Sequence, residues 1–386
     1  MRRPIALGLS VNYAGMMCLA IAVNLLPVFL ATLGHDLGGA AGLTHEQLGR
    51  IVAITFAGLV AGIVITGPLA DRWGPKRFAV AGNILIAAGL AWLGLAPGYL
   101  SVCAAAFTMG VGAGILDMVL SPIVCALQPE RRTSAMNWLH SFYCTGAAAT
   151  VLLGALTLRM GLGWRALALW LTLMPAGVAV AFFCLRLPPL MAEGGTRMRT
   201  RTRELMRQPA FRVALAAIFL GGATEAGLAQ WLPAYAEQTL KFSPWTAGMS
   251  LLFFSLAMAA GRIAAGMAGP RLNPIRLLLL CCWCSVALFL LGCFAPSPAV
   301  ALAACMAVGV TGSCLWPSTL GITGDRFPHG GATMFALLAA FGNLGAVFMP
   351  WIVGLAADLT SMRWGLSTAT LCPLLMIILL RRMRRA

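Results

Sequence analysis

Three side chains able to carry a proton stand inside long apolar stretches: Asp117 in Gly114-Ile115-Leu116-Asp117, His140 in Asn137-Trp138-Leu139-His140, and Glu225 in Gly222-Ala223-Thr224-Glu225. An ionisable group near the centre of a bilayer costs a few kcal/mol, so each is a candidate for function before it is a candidate for packing. Glu225 lies about fourteen residues, or roughly 20 Å, into its stretch, which is near the middle. Asp117 shares a helical stripe with Gly110, Gly114 and Ser121, a small and polar face suited to a bundle interior. His140 shares a face with Asn137, Ser141 and Cys144 at a similar depth, so contact between Asp117 and His140 is expected. The alternatives are a buried structural pair or, for His140 alone, a hydrogen-bonded packing residue. Amides and aromatics suited to a polar ligand are Asn24, Asn137, Gln230, Trp231, Trp316 and Asn343, with packing or an interfacial belt as the other role for the aromatics. Gln230 is about 140° around an unkinked helix from Glu225, so the two share a cavity only if Pro233 bends the helix.

The elements that position these residues follow from composition. Of the 386 residues, 60% are hydrophobic and 10% charged, with a mean hydropathy of +0.88. A water-soluble enzyme is excluded, since ordinary soluble domains carry about 25% charged residues. Apolar runs cut by charges, Pro and Gly predict twelve membrane-spanning helices: 5–33, 47–70, 78–96, 100–127, 134–158, 164–187, 211–238, 245–268, 275–294, 298–322, 332–356 and 364–380. The fold class is an all-α membrane protein. With the N-terminus inside, 22 of the 27 Lys and Arg fall on the inner side, Arg262, Arg271 and Arg276 among them. That bias accounts for the net charge of +16 without any nucleic acid, and it places both Arg-bearing ends in the cytoplasm. Arg2 to Asn24 has the outline of a signal peptide, but Leu25-Leu26-Pro27 continues the run and has an apparent counterpart in Leu232-Pro233, so it reads as span 1. The twelve cysteines sit in apolar runs and read as free thiols.

A shift of 199 residues sets the second half on the first. It pairs Gly62 with Gly261, Arg72 with Arg271, Pro75 with Pro274, Gly110 with Gly309, Pro129 with Pro328, Phe142 with Phe341 and Gly146 with Gly345, without a gap. Two six-helix bundles are expected, 1–187 and 211–386, joined by a basic linker over 188–210. A repeat of this kind suits two bundles that rock about a central site. Thr44 with Gln47 forms a capping-box pattern before span 2, and Ser243 with Pro244 opens span 8. Arg197, Arg199, Arg201, Arg203 and Arg207 in the linker read as a solvated segment that attracts anionic lipid at the inner leaflet.

Between spans 2 and 3 runs Gly67-Pro68-Leu69-Ala70-Asp71-Arg72-Trp73-Gly74-Pro75-Lys76-Arg77, with a decayed copy at Gly266 to Arg276. This resembles the loop signature of the major facilitator superfamily, and with the spans and the repeat the resemblance covers the whole chain. It implies a conformational latch formed by Gly67, Asp71, Arg72, Gly74 and Arg77, in which the Asp71 carboxylate caps the positive N-terminal end of span 11. Pro270 stands where Asp71 stands in the first copy, so the latch is expected to be asymmetric. Gly112 to Asp117 with Pro122, Asn137 to Phe142 with Gly146, and Gly222 to Glu225 with Trp231 and Tyr235 are similar to the fucose/glucose proton-symporter branch. That resemblance implies proton coupling through Asp117, Glu225 and His140, and sugar contacts through the amides and aromatics. Fucose-type members also carry an acid in span 1, where this chain has only Asn24, so the solute need not be fucose.

The expected function is secondary active transport of a small polar solute, a sugar first, by proton symport with alternating access. A proton-coupled efflux antiporter of apolar compounds is the alternative on the same fold. A monomer in a bacterial inner membrane is expected, with solute, protons and lipid as its partners. No cofactor, metal or enzymatic activity is expected: Cys281-Cys282-Trp283-Cys284 has no nearby His or acid, and no phosphate-binding loop or hydrolase motif occurs.

Overall fold

The computed structural model of the chain describes residues 2–38, 42–43, 45–185, 202–268 and 272–385. Thr44, Pro270 and Arg271, and the linker up to Arg201, lie outside the described residues. Among the described residues, twelve helices are long and apolar enough to cross a bilayer: Ile5–Val28, Arg50–Trp73, Pro75–Gly94, Tyr99–Leu127, Arg132–Arg159 and Trp164–Cys184, then Pro209–Thr239, Trp245–Ala268, Pro274–Phe294, Pro298–Arg326, Gly331–Leu359 and Met362–Arg382. They are spans 1 to 12 below. Among the described residues there is no β-strand, and each crossing is a helix that satisfies its backbone groups internally.

Span 1 is shorter than the apolar run. The helix stops at Val28, just past Pro27, and a separate short helix, Leu30–Leu37, follows. Span 8 opens where the Ser-Pro pair placed it, with the Thr246 amide donating to Ser243 Oγ at 3.3 Å.

Packing divides the chain into two compact units. The first comprises Met1–Leu127, Phe142–Arg197 and Gly331–Ala336; the second comprises Gln128–Ser141, Met198–Gly330 and Leu337–Ala386. Inside each unit the glycines of the repeat do the same work. A Cβ on Gly62 would collide with the Val111 carbonyl of span 4, and one on Gly261 with the Val310 carbonyl of span 10, the same pair 199 residues on. Gly110 meets the Thr55 carbonyl as Gly309 meets that of Phe254. Gly146 abuts Met17 and Ala20 of span 1 as Gly345 abuts Phe219 and Ala223 of span 7. Small residues let helices approach backbone to backbone where lipid offers no hydrophobic drive for association.

Spans 7 and 10 of the second unit are broken, and span 12 passes through a 3-10 turn at Thr368–Thr370. In span 7 the α-helix Pro209–Ala229 gives way at Gln230 and Trp231, and Leu232–Ala234 leads into a π-helical turn, Tyr235–Thr239. In span 10 the helix Pro298–Gly312 stops, Ser313 and Cys314 form a turn, and Leu315–Arg326 resumes. Such breaks release backbone carbonyls that need donors at membrane depth.

Candidate functional site

The break in span 10 explains the placement of Arg262, an arginine that the charge pattern counts to the inner side. Arg262 is inside span 8, not in the loop after it, and is only 3% exposed. Its Nε donates to the Ser313 carbonyl at 3.0 Å, at the interruption. Nη1 donates to the His140 carbonyl at 2.9 Å, and Nη2 to Glu225 Oε2 at 2.7 Å. A planar guanidinium with donors in a fixed fork thus ties spans 5, 7, 8 and 10 of the second unit together, which an ammonium could not do. Gly261 beside it allows the close approach, since a Cβ there would run into Ser313 Oγ and the Val310 carbonyl.

Glu225 is the less buried member of the pair, with 22% of its side chain accessible. One turn earlier on span 7, Gly222 receives the Trp316 ring, whose Cζ3 would lie 3.0 Å from a Cβ at that position; the same ring packs on Gly342 of span 11. Among the described residues, Trp316 Nε1 and His140 Nε2 are both buried without a hydrogen-bond partner. Glu225 through its carboxylate and His140 through its carbonyl, two of the residues singled out in the sequence, therefore meet at an arginine that was not, and Trp316 packs on the turn before Glu225. The signal was present: the 199-residue register sets Arg262 against Ile63, a fully buried apolar residue.

The remaining candidates make further contacts within each unit. Asn137 is fully buried, donating to the Thr133 carbonyl at 2.9 Å and to Ser318 Oγ at 2.8 Å, so in this conformation it fastens span 5 to span 10. Asn343 donates to Ala339 one turn back on its own helix. Trp231 donates from Nε1 to the Pro350 carbonyl at 2.8 Å, and Gln230 beside it at the span 7 break is exposed. In the first unit Asn24 donates to the Ala20 carbonyl at 2.8 Å and meets the Tyr143 hydroxyl at 3.4 Å. Asp117, half-buried and partnered, also belongs to the first unit, on the stripe whose glycines, Gly110 and Gly114, pack on span 2.

At the loop after span 2, Asp71 accepts from the Ala332 amide at 2.5 Å, from the Thr333 amide at 3.0 Å and from the Thr333 hydroxyl. The carboxylate thus meets the free amides and positive dipole end of span 11. Gly331, at φ +64°, makes this possible, because a Cβ there would sit 2.6 Å from Asp71 Oδ1. Gly67 touches Ala336 in the next turn, Gly74 holds φ +82° ahead of Pro75, and Arg72 and Arg77 are exposed. In the second unit the corresponding end of span 5 is held differently: Ser134 Oγ donates to the Gly266 carbonyl, and Arg132 reaches the Gly324 carbonyl at 2.7 Å and Asp325 at 3.5 Å.

The family model of the major facilitator superfamily matches residues 12–284 and again 248–386. The chain belongs to the major facilitator superfamily. An uncharacterised transporter of this type from Yersinia pestis is 22% identical over 352 residues, covering 89% of this chain and 88% of the relative. A probable nitrate/nitrite transporter of Mycobacterium tuberculosis, NarK2, is 25% identical over 333 residues, covering 82% and 81%. The crystal structure of the Escherichia coli fucose:proton symporter FucP superposes with a TM-score of 0.83 at 17% identity, over 99% of both chains. Superfamily membership makes this a multi-pass membrane transporter, and the match to FucP shows that its fold is the major facilitator fold.

Proposed function

We propose that this transporter couples proton movement to the transport of a small polar solute through Glu225, in a bacterial inner membrane with both ends in the cytoplasm. The observation that carries the reading is the Glu225–Arg262 pair: a partly accessible carboxylate held at 2.7 Å by a buried arginine inside the membrane. Ionised, Glu225 holds Arg262 and the four spans it joins; protonated, it gives up the ion pair. That makes one proton a control on how tightly spans 7 and 8 are held together, which alternating access requires of a coupling residue. Import of a sugar is the form supported by the pattern of spans 4, 5 and 7, with Asp117 and His140 as further proton carriers and Asn24, Asn137, Gln230, Trp231, Trp316 and Asn343 as solute contacts. Asp71, with Gly67, Arg72, Gly74 and Arg77, acts as the latch on one conformation, and the supporting geometry is its cap on span 11.

The test is proton movement itself. In proteoliposomes carrying an internal pH dye, addition of a transported solute outside should acidify the interior, and Glu225→Gln should abolish that signal. Solute entry with no pH change in the wild-type protein would refute the coupling.

A further inference from the structure

Between spans 3 and 6 of the first unit lies an open groove of about 510 Å³. We infer that it holds an acyl chain of an anionic phospholipid whose headgroup rests on Lys76 and Arg77. Ile84, Ala87 and Ala91 of span 3 and Ala176, Val180 and Phe183 of span 6 line it, and Ile84, Val180 and Phe183 are exposed. Thr172 is the one polar residue in the lining, and its hydroxyl donates to the Ala168 carbonyl at 3.0 Å on its own helix. The groove therefore offers no unpaired polar side chain to a solute, and at membrane depth hydrocarbon is what fills such a surface. From Val80 to Ala91 it follows about 17 Å of helix, comparable with the roughly 15 Å of hydrocarbon in one leaflet. The repeat does not impose this shape: the 199-residue register sets Val286 and Leu290 of span 9 where span 3 has Ala87 and Ala91.

The foot of the groove selects the headgroup. Span 3 begins at Pro75, so Lys76 and Arg77 stand in its first turn, and Arg77, seven residues before Ile84, is on the same face of the helix. Lys76 Nζ donates to the Phe183 carbonyl at 3.0 Å, which sets its charge at the rim and uses one of three ammonium donors. Among the described residues neither cation has a carboxylate partner, and Asp71, the acid nearest in sequence, is committed to the start of span 11. Trp73, half exposed and stacked on Phe78, marks the level of the headgroups. An anionic headgroup carrying an apolar chain suits both ends of the groove. A second copy of this chain does not: a two-fold dimer in the membrane brings the same residues together at the same depth, so Lys76 and Arg77 would face their own like charges. In the orientation proposed above this end of span 3 is cytoplasmic, and the lipid comes from the inner leaflet.

The experiment uses the full chain, delipidated in detergent, so it depends neither on that orientation nor on proton coupling. Native mass spectrometry counts the phosphatidylglycerol and the phosphatidylcholine, with identical palmitoyl and oleoyl chains, that the protein retains at equal added concentration. The wild-type protein should retain at least fivefold more phosphatidylglycerol. Ala87→Leu/Ala176→Leu, which fills the groove, and Lys76→Gln/Arg77→Gln, which discharges its foot, should each abolish that excess. Ala287→Leu, on span 9 where the register sets Ala88, adds the same bulk to another apolar face and should leave the excess intact. The two double variants act on different parts of the site, so loss of one to misfolding leaves the other decisive. Equal retention of both lipids by the wild-type protein would overturn the headgroup, and undiminished retention by Ala87→Leu/Ala176→Leu would overturn the groove. A wild-type dimer that Ala87→Leu/Ala176→Leu turns into a monomer would make a second copy the occupant and overturn the lipid.

Discussion

Arg262 shows how a single residue can be read correctly in type and wrongly in place. Positive-inside counting credits each arginine near a helix end to the adjoining loop, and Arg262 falls six residues from the end of span 8. Only its surroundings correct this: a broken span 10 needs a donor at the Ser313 carbonyl, and Arg262 supplies it. Glu225 and His140 were legible because an acid or imidazole in an apolar run has no other explanation, yet their common partner was not. Removing one partner of a buried ion pair typically costs about 3–5 kcal/mol, whereas replacing both is far milder. In thermal unfolding in detergent, Arg262→Met should therefore lower the melting temperature markedly, and Glu225→Gln/Arg262→Met should recover much of the loss. Additive losses in the double variant would mean that the two side chains do not act on one another.

Among the elements, the helices themselves were plain in the hydropathy, and their close approaches were announced by the repeated glycines. What periodicity does not show is where a span breaks; the cause at Ser313 and Cys314 is Pro317, which lacks the N–H that the Ser313 carbonyl four residues back would accept and crowds that carbonyl. Gly261→Ala forces a methyl group against the Val310 carbonyl and Ser313 Oγ beside the break; overpacking of this kind costs about 1–3 kcal/mol. The variant should lose thermal stability and loosen the Arg262 contacts, whereas Gly248→Ala, with open space around its Cβ position, should be neutral. Equal melting temperatures for the two would contradict the packing account. At the start of span 11, Asp71→Ala removes a charged cap worth about 1–2 kcal/mol. Hydrogen exchange at the Ala332 and Thr333 amides should then accelerate, and unchanged protection would show that Asp71 does not secure that end.

On the scale of the whole molecule, the twelve crossings and the internal repeat could be read directly because lipid leaves a chain few choices. Long apolar runs satisfy their backbone in lipid as helices, and a constant 199-residue register keeps each half's packing alike. The identity of the solute was not legible, since one fold serves many solutes and the residues that choose among them are few. An even number of crossings and the distribution of arginine predict both ends in the cytoplasm. Reporter fusions at residues 1 and 386 should both be active only on that side, and opposite signals would break the twelve-span topology.

The central claim is that Glu225 carries the coupled proton. It is tested most directly by comparing two transport modes of Glu225→Gln in proteoliposomes. The account predicts that solute exchange at equal pH on both sides survives, because a neutral side chain mimics the protonated carrier, while accumulation driven by a pH gradient is lost. Accumulation equal to that of the wild-type protein would contradict it.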